Sequence, residues 1–236
     1  MSSVASNTFF DKVYRNELKY YINFHDYEYL TSVFKQLMHT DVNANENNEY
    51  FIRSLYFDSI INCDFYDKVI GVQDRKKIRL RIYDYNQQTV KLEIKNKYSQ
   101  YMLKETSTIT RENCIKLIYG DTTILQDKND EVLTKAYYYM IKDYYKPAVI
   151  VDYEREAYTY DIQNIRITFD KNIRSSITDF DIFNPHINMV SVFDEPTIVL
   201  EVKYNRILPS WIKETLAKVS SNSSSISKYC KGRLLF

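Results

Sequence analysis

Glycine and cysteine are scarce in this chain. Its 236 residues include three glycines and three cysteines. Loops that cradle nucleotide phosphates need several glycines at fixed spacing, so the scarcity argues against a Gly-rich phosphate loop. Cys63, Cys114 and Cys230 lie far apart, with neither a CxxC motif nor the spacing of metal ligands. This pattern is typical of reduced thiols in a reducing compartment and predicts a cytoplasmic protein.

Long apolar runs are also missing, and the net charge is small. No stretch approaches the roughly 20 apolar residues that a membrane span needs, and the N terminus has no apolar signal segment. The formal net charge is +1, so no overall field steers the chain to nucleic acid or to an acidic membrane. We therefore expect no nucleic-acid partner and no transmembrane segment in this chain. Any anion site must come from local clustering of basic residues.

Short runs of strand-forming residues dominate instead. Hydrophobic residues make up 44% of the chain, which is ordinary for a globular protein. Alternation predicts strands at residues 17–24, 50–57, 77–85, 90–98, 101–109, 148–158, 164–170 and 197–204. Helices are predicted at residues 26–38, 111–119, 130–145 and 209–219. With no repeat or linker, we expect one domain over residues 1–236. The predicted class is α+β, an antiparallel β-barrel with helices packed around it, because closure removes exposed edges.

Charged residues alternate with apolar ones in these predicted strands. A period of two puts Arg79 and Arg81 on one face of a strand, with Ile78 and Leu80 on the other. The same alternation pairs an acid with a lysine two residues later at Glu17 and Lys19, Glu93 and Lys95, and Glu201 and Lys203.

Two interpretations of this pattern remain open from the residues alone. A sheet with one face on the core and one in water would simply solvate the charges. A barrel with its polar face inward would instead confine many cations, which then need an anion such as triphosphate to neutralise them. In the second case carboxylates would hold a divalent metal that bridges to phosphate. The alternative role for Glu17, Glu93 and Glu201 is that of salt-bridge partner.

A set of short motifs then resembles a known family over residues 14–236. The chain resembles the polyphosphate polymerase domain of the vacuolar transporter chaperone (VTC) complex and its bacterial relatives, within the triphosphate tunnel (CYTH-like) superfamily. In order, the motifs are Glu17-Leu18-Lys19-Tyr20, Arg53-Ser54-Leu55-Tyr56-Phe57-Asp58, Ile78-Arg79-Leu80-Arg81, Leu92-Glu93-Ile94-Lys95, Tyr153-Glu154-Arg155, Ile165-Arg166-Ile167, Leu200-Glu201-Val202-Lys203 and Ser227-Lys228-Tyr229-Cys230-Lys231-Gly232.

The resemblance implies an activity and a set of site residues. It implies transfer of the γ-phosphate of ATP to a growing polyphosphate chain, with Mn²⁺ or Mg²⁺ as cofactor held by Glu201. ATP and inorganic polyphosphate would be the partners, and a membrane-protein partner is compatible with the family. The implied phosphate-binding residues are Lys19, Arg79, Arg81, Lys95, Lys104, Arg155, Arg166, Lys203, Lys228 and Lys231. The implied catalytic residues are Arg79, Arg81, Lys95, Arg155, Arg166, Glu201 and Lys203.

Two further features refine this expectation. Lys228 and Lys231 are at i, i+3 on a predicted C-terminal helix, so both are expected to point at one target near a tunnel mouth. Tunnel triphosphatases usually begin with Glu-x-Glu-x-Lys, whereas Arg15 stands here at the first glutamate position. The polymerase relatives share such a substitution, which favours polymerase over the alternatives, a tunnel triphosphatase or a non-catalytic polyphosphate-binding module.

Overall fold

The computed structural model describes residues 15–98, 101–219 and 223–235. Its strands are β1 (Arg15–Ile22), β2 (His39–Thr40), β3 (Glu49–Asp58), β4 (Arg75–Ile82), β5 (Thr89–Tyr98), β6 (Tyr101–Thr110), β7 (Lys146–Tyr160), β8 (Ile165–Ser176), β9 (Val190–Ser191) and β10 (Ile198–Asn205). Its α-helices are α1 (Phe24–Leu37), α2 (Cys63–Val69), α3 (Arg111–Ile118), α4 (Glu131–Lys142), α5 (Ser210–Ala217) and α6 (Lys228–Arg233). Short 3₁₀ helices cover Thr122–Leu125 and Ile162–Asn164. No helix within these ranges is long and apolar enough to cross a bilayer.

The strands form one antiparallel sheet that stays open. Its order is β1-β10-β8-β7-β3-β4-β5-β6, with β2 added to β7 and β9 to β8. The α+β antiparallel class is therefore confirmed, but the predicted closure into a barrel is wrong, because the described residues of β1 and β6 do not pair. At the β1 edge the backbone N–H of Ser224 donates to the carbonyl of Lys19, at 2.8 Å. The C-terminal segment thus takes a hydrogen-bonding position that a closing strand would need.

The sheet nevertheless curls, so that its two halves face each other. Lys95 on β5 feels the charges of Lys203 and Glu201 on β10, although the two strands are far apart in the sheet order. Such coupling requires that the side chains approach each other across the concave face. The concave face is the side of the sheet that carries Lys19, Arg79, Glu93, Lys95, Arg155, Glu201 and Lys203.

Helices cover the opposite, convex face and explain the alternation. Apolar strand residues at the intervening positions point into two cores. The first core joins β4 and β5 to α3 and α4, and includes Ile78, Leu80, Leu92, Leu117 and Met140. The second joins β1, β8 and β10 to α1 and α5, and includes Leu30, Phe34, Phe169, Leu200 and Ile212. Burial of apolar surface on this side leaves the charged side chains to line the other.

A third apolar cluster closes one end of the concave face. There α6 contributes Tyr229 and Cys230, which pack with Tyr56, Val151 and Tyr153 of the sheet. A Cβ at Gly232 would meet the Ser175 Cβ at 3.0 Å, so the close approach of α6 to β8 requires glycine. The helix therefore sits over the sheet and limits how far the basic surface extends.

Candidate functional site

Strand register brings the predicted site residues together on the concave face. Lys19 lies opposite Glu201 across β1 and β10, and Lys203 lies opposite Arg166 across β10 and β8. Across β4 and β5, Arg79 lies opposite Glu93. Eight of the ten predicted phosphate-binding residues share this face by period and register, namely Lys19, Arg79, Arg81, Lys95, Lys104, Arg155, Arg166 and Lys203.

Arg79 is held by a dedicated acid. Its Nε and Nη2 lie 2.6 Å and 2.5 Å from Glu93 Oε2, and its Nη1 donates to the Tyr56 hydroxyl at 3.0 Å. Burial alone would raise the pKa of Glu93, but the charges of Arg79 and Arg81 outweigh it and lower that pKa strongly. Glu93 is therefore a salt-bridge partner, and it fixes the direction of the Arg79 guanidinium.

Arg155 is fixed in the same way by an acid on β8. Its Nε and Nη2 donate to the two oxygens of Asp170, at 2.6 Å and 2.8 Å. The Lys228 ammonium also contacts Asp170, which is fully buried. Burial opposes ionisation of Asp170, yet the charges of Arg155 and Lys228 lower its pKa. Nη2, one of the two nitrogens of this bidentate pair, also lies 3.7 Å from Glu201 Oε2.

Glu201 stands at the centre of a wider cationic cluster. Its Oε1 lies 2.8 Å from Lys203 Nζ and 3.7 Å from Lys19 Nζ. Lys19 also contacts Glu17 at 2.7 Å, which places the two carboxylates side by side. Burial alone would raise the pKa of Glu201, but Lys203 and Lys19 outweigh it and hold that pKa well below its ordinary value. Glu201 is thus ionised and shared among several cations, without a single dedicated partner.

Lys95 has no such partner. Among the described residues it forms no ion pair and donates no hydrogen bond to a side chain. The charge of Arg79 is the largest cause that lowers the pKa of Lys95, and burial adds to it, so the pKa lies well below its ordinary value. A bound anion beside this amine would restore its charge. The neighbouring Lys77 donates to the Ser227 hydroxyl at 2.8 Å and lies 5.0 Å from the centre of the Tyr229 ring, and its pKa is lowered by burial.

The remaining predicted cations lie nearer the edges of the concave face. Arg166 donates to Asp41 at 2.6 Å and to the Tyr50 hydroxyl at 2.8 Å. Lys104 reaches Glu93 at 3.1 Å, and its side chain is 53% exposed. Both side chains are partly solvated, so a phosphate that binds there loses less of its hydration than it would at the buried Arg79.

The two lysines of α6 point at different strands. Lys228 lies inward, against Asp170 and 4.9 Å from the centre of the Tyr153 ring. Lys231 is exposed and lies 5.8 Å from the centre of the Tyr21 ring on β1. The two ammonium groups therefore have different neighbours, and a common target for both stays a prediction. The role of each in binding phosphate stays a prediction.

The carboxylates suit a metal that is completed by substrate. The described residues contain no group of three or more His, Cys, Asp or Glu side chains that could hold an ion. Glu17 and Glu201 are nevertheless adjacent, and Mg²⁺ commonly uses one or two carboxylates with substrate phosphates as the other ligands. Oxygen donors of this kind fit Mg²⁺ or Mn²⁺ in that mode, and they do not form an all-protein cage.

Several residues of this network were absent from the sequence-based set. Asp170, Asp41, Tyr56 and Lys77 hold or extend the predicted cations. Asp170 shares the alternate positions of Arg166 on β8, and Lys77 those of Arg79 on β4, so the period of two could have pointed to both. Asp41 and Tyr56 come from elements whose pairing depends on long-range register, which no local pattern reveals. The side chain of Arg15 lies outside the described residues.

The geometry defines a curled antiparallel sheet with a basic concave face, and comparisons with known proteins agree. The VTC domain family matches residues 14–236, so the chain belongs to that family. A putative adenylate cyclase from Bacillus halodurans is 12% identical, with a TM-score of 0.51 and 87% of each chain covered. A putative adenylyl cyclase from Hippeastrum, described as having a dominant triphosphatase activity, is 12% identical, with a TM-score of 0.55, 92% of this chain and 94% of that chain covered. At this identity the two structures show the tunnel fold alone. No curated protein matches the sequence.

Proposed function

We propose that this protein is a polyphosphate polymerase, which transfers the γ-phosphate of ATP to the end of an inorganic polyphosphate chain in a metal-dependent reaction. Membership of the VTC domain family supports the class of substrate. The observation that carries the proposal is the concave face, where Lys95 and Lys77 lie among other cations and form no ion pair with any acid that the structure describes. Such a surface needs a polyanion to neutralise it.

The residues on this face suit phosphoryl transfer between two phosphates. The terminal oxygen of the polyphosphate acceptor attacks the γ-phosphorus, the bond to the β-phosphate oxygen breaks, and ADP leaves with the electron pair. The acceptor oxygen is already ionised near neutral pH, so no general base is required. His25, His39 and His186 lie in α1, in β2 and in the loop before β9, and none of the three belongs to the predicted set of site residues.

Positioning and charge neutralisation then supply most of the rate enhancement. Arg79 and Arg155 are held in fixed directions by Glu93 and Asp170, so they offer preorganised donors to phosphate oxygens. Lys95 and Lys203 supply charge from opposite halves of the curled sheet. Glu17 and Glu201 would hold the divalent metal, which would supply positive charge to the phosphate groups during transfer.

The Hippeastrum neighbour is described as having a dominant triphosphatase activity. Hydrolysis of a triphosphate and the proposed transfer break the same kind of phosphoanhydride bond. What separates the two reactions is the acceptor, water in one case and phosphate in the other. The position of Arg15, where triphosphatases carry a metal-binding glutamate, supports the phosphate acceptor.

The direct test is incubation of the purified protein with ATP and Mn²⁺. We expect ADP and a polymer that an exopolyphosphatase digests. The Glu201→Gln variant should keep much of the affinity for triphosphate, because the cations remain, and should lose metal-dependent turnover. Glu112→Gln is the matched control, since Glu112 is an exposed acid of α3 that pairs with Lys116 on the same helix.

Free phosphate without polymer under every priming condition would contradict the proposal and indicate a hydrolase. Normal turnover by Glu201→Gln would show that Glu201 is a structural counter-ion.

A further inference from the structure

The basic surface continues beyond the concave face at the end closed by α6. Lys68 on α2, Arg75 on β4 and Lys97 on β5 form no ion pair with any acid of the described residues, and the same holds for Lys77 and Lys95. Arg75 and Lys77 lie two residues apart on β4, and Lys95 and Lys97 lie two residues apart on β5, so these four side chains share one face of the sheet. Lys68 on α2 extends this set. None of Lys68, Arg75 and Lys97 belongs to the predicted site.

Strand register places these cations directly opposite one another. Lys77 is the cross-strand partner of Lys95, and Arg75 is the cross-strand partner of Lys97. Like charges in directly opposed positions destabilise a sheet. The next pair along the two strands joins an arginine to Glu93 and is neutralised. Two successive like-charge pairs therefore impose a cost that a bound anion would remove.

In the part of the chain that the structure describes, the hydrogen bonds of Lys68, Arg75 and Lys77 go to neutral oxygen atoms. Lys68 Nζ lies 2.5 Å from the Ser225 hydroxyl and 3.4 Å from its carbonyl. Lys77 Nζ lies 2.8 Å from the Ser227 hydroxyl, and Arg75 donates to the Val72 carbonyl. Phosphate oxygens could take these same positions and would add the negative charge that hydroxyl and carbonyl groups lack.

The positive charges of Arg75 and Lys97 also act on Lys68. Its pKa is lowered first by partial burial and next by the charge of Arg75, and Lys97 contributes in the same direction. The three residues therefore act on each other electrostatically, although they come from three different elements.

We propose that Lys68, Arg75 and Lys97 form an outer anion site, which binds the phosphates of a linear polyphosphate chain that extend past the concave face. This inference rests on the proposed function and adds selectivity for chain length. Residues two apart on a strand are separated by about 7 Å, so Arg75 lies roughly 13 Å along β4 from Arg79. A triphosphate held around Arg79 and Arg155 is too short to reach the outer site as well, whereas a longer chain contacts both.

The test compares two ligands on one variant, without ATP. The triple variant Lys68→Gln, Arg75→Gln, Lys97→Gln is titrated with long-chain polyphosphate and, separately, with tripolyphosphate. We expect about tenfold weaker binding of the long chain, from three partly solvated contacts of modest strength each, and an unchanged affinity for tripolyphosphate. Lys68→Gln alone should show a smaller loss in the same direction, which protects the test if the triple variant folds poorly.

The matched control removes three exposed lysines elsewhere, Lys128→Gln, Lys142→Gln and Lys213→Gln, none of which forms an ion pair among the described residues. It should bind both ligands as the unmodified protein does. An equal loss in the control, an equal loss for tripolyphosphate, or no loss for the long chain would overturn the outer site. Tighter binding of single-stranded oligonucleotide than of polyphosphate at equal charge would also overturn it. Because binding is measured without ATP, a failure to make polymer would reject the proposed activity and leave this result in place.

Discussion

At the scale of single residues, two glutamates with the same sequence pattern have different surroundings. Glu93 and Glu201 each precede a lysine by two residues on a strand. Glu93 meets Arg79 at hydrogen-bonding distance through two nitrogens, whereas Glu201 is shared by Lys203, Lys19 and Arg155 at 2.8 Å, 3.7 Å and 3.7 Å. The looser arrangement leaves Glu201 free to exchange a cation for a metal. The sequence pattern alone does not distinguish these two roles, because the difference arises from residues on other strands.

A second residue, Asp64 on α2, offers a test of pH dependence. Its carboxyl is buried, one oxygen accepts from the Tyr145 hydroxyl at 2.7 Å, and the other has no hydrogen-bond partner. Lys76 lies 3.7 Å away, on the side of the bonded oxygen. Burial is the main cause that raises the pKa of Asp64 to about 7, from an ordinary value of 3.8. The folded protein therefore holds this proton over a range in which the unfolded chain has released it.

We predict that this proton makes the protein less stable as pH rises from about 4 to 7. The native state binds more protons than the unfolded state in that window, so the free energy of unfolding falls with pH and then levels off. The three-unit shift corresponds to at most roughly 4 kcal/mol. Asp64→Asn should remove the trend and raise stability at pH 8 by about 1–4 kcal/mol, as measured by urea unfolding at several pH values.

Three other buried acids respond to pH in the opposite direction and in a different range. The pKa values of Glu93, Asp170 and Glu201 are lowered, so their contributions are lost only as pH falls below the window. An Asp64→Asn variant with the pH profile of the unmodified protein would show that Asp64 titrates normally.

At the scale of elements, α6 is attached by its interior residues. The chain end at Leu234 and Leu235 is exposed, while Tyr229 and Cys230 are buried. Arg233 adds polar contacts to Asn62 and Asp58, at 2.9 Å and 3.3 Å. Lys228 belongs to this interior set through Asp170, and Lys231 does not.

We predict that single substitutions on α6 separate stability from surface charge. Lys228→Ala removes one of two cations from the buried Asp170 and should cost about 1–3 kcal/mol of unfolding free energy. Lys231→Ala should stay within about 0.5 kcal/mol, because its side chain is exposed. Thermal and urea unfolding measure both, and Lys228→Arg should recover most of the loss. Equal costs for the two alanine variants would contradict the inward position of Lys228.

Most strands and five helices were predictable because their signal is local. The predicted strand at residues 77–85 and the observed β4 differ at the ends, while the alternation that places Arg79 and Arg81 on one face is the same. The helix α2 was missed because it has seven residues and starts after Asn62, which adopts a left-handed conformation (φ 60°) and provides no capping hydrogen bond. Strand β7 runs to 15 residues, beyond the predicted 148–158, since its partners β3 and β8 extend the pairing.

At the scale of the whole molecule, the curl of the sheet is what assembles the site. Period-two alternation predicted which side chains share a face, because that depends on neighbours along the chain. It could not predict that Lys95 and Lys203 approach each other, since that depends on curvature accumulated over the whole sheet. Nor could it settle closure, because the edges β1 and β6 are far apart in sequence and the C-terminal segment hydrogen-bonds to β1.

The concave face also predicts how the whole protein responds to its ligand. Buried or half-buried cations such as Lys77 and Lys95 repel one another in the ligand-free protein, and a polyanion that binds only the folded state relieves this repulsion. Tripolyphosphate at about 100 times its Kd should stabilise the fold by roughly 2.7 kcal/mol, which for a chain of this size raises Tm by roughly 5–10 °C.

Sodium chloride at the same ionic strength should give a clearly smaller rise, because screening acts weakly on buried charges. The Lys95→Gln variant should show a reduced shift with tripolyphosphate, since the amine whose charge the ligand restores is gone, whereas Lys213→Gln on the exposed side of α5 should shift like the unmodified protein. Differential scanning calorimetry measures all four conditions. Equal shifts with sodium chloride and tripolyphosphate would mean that the charges act as a diffuse field and that the curled sheet does not bind a polyanion at a defined site.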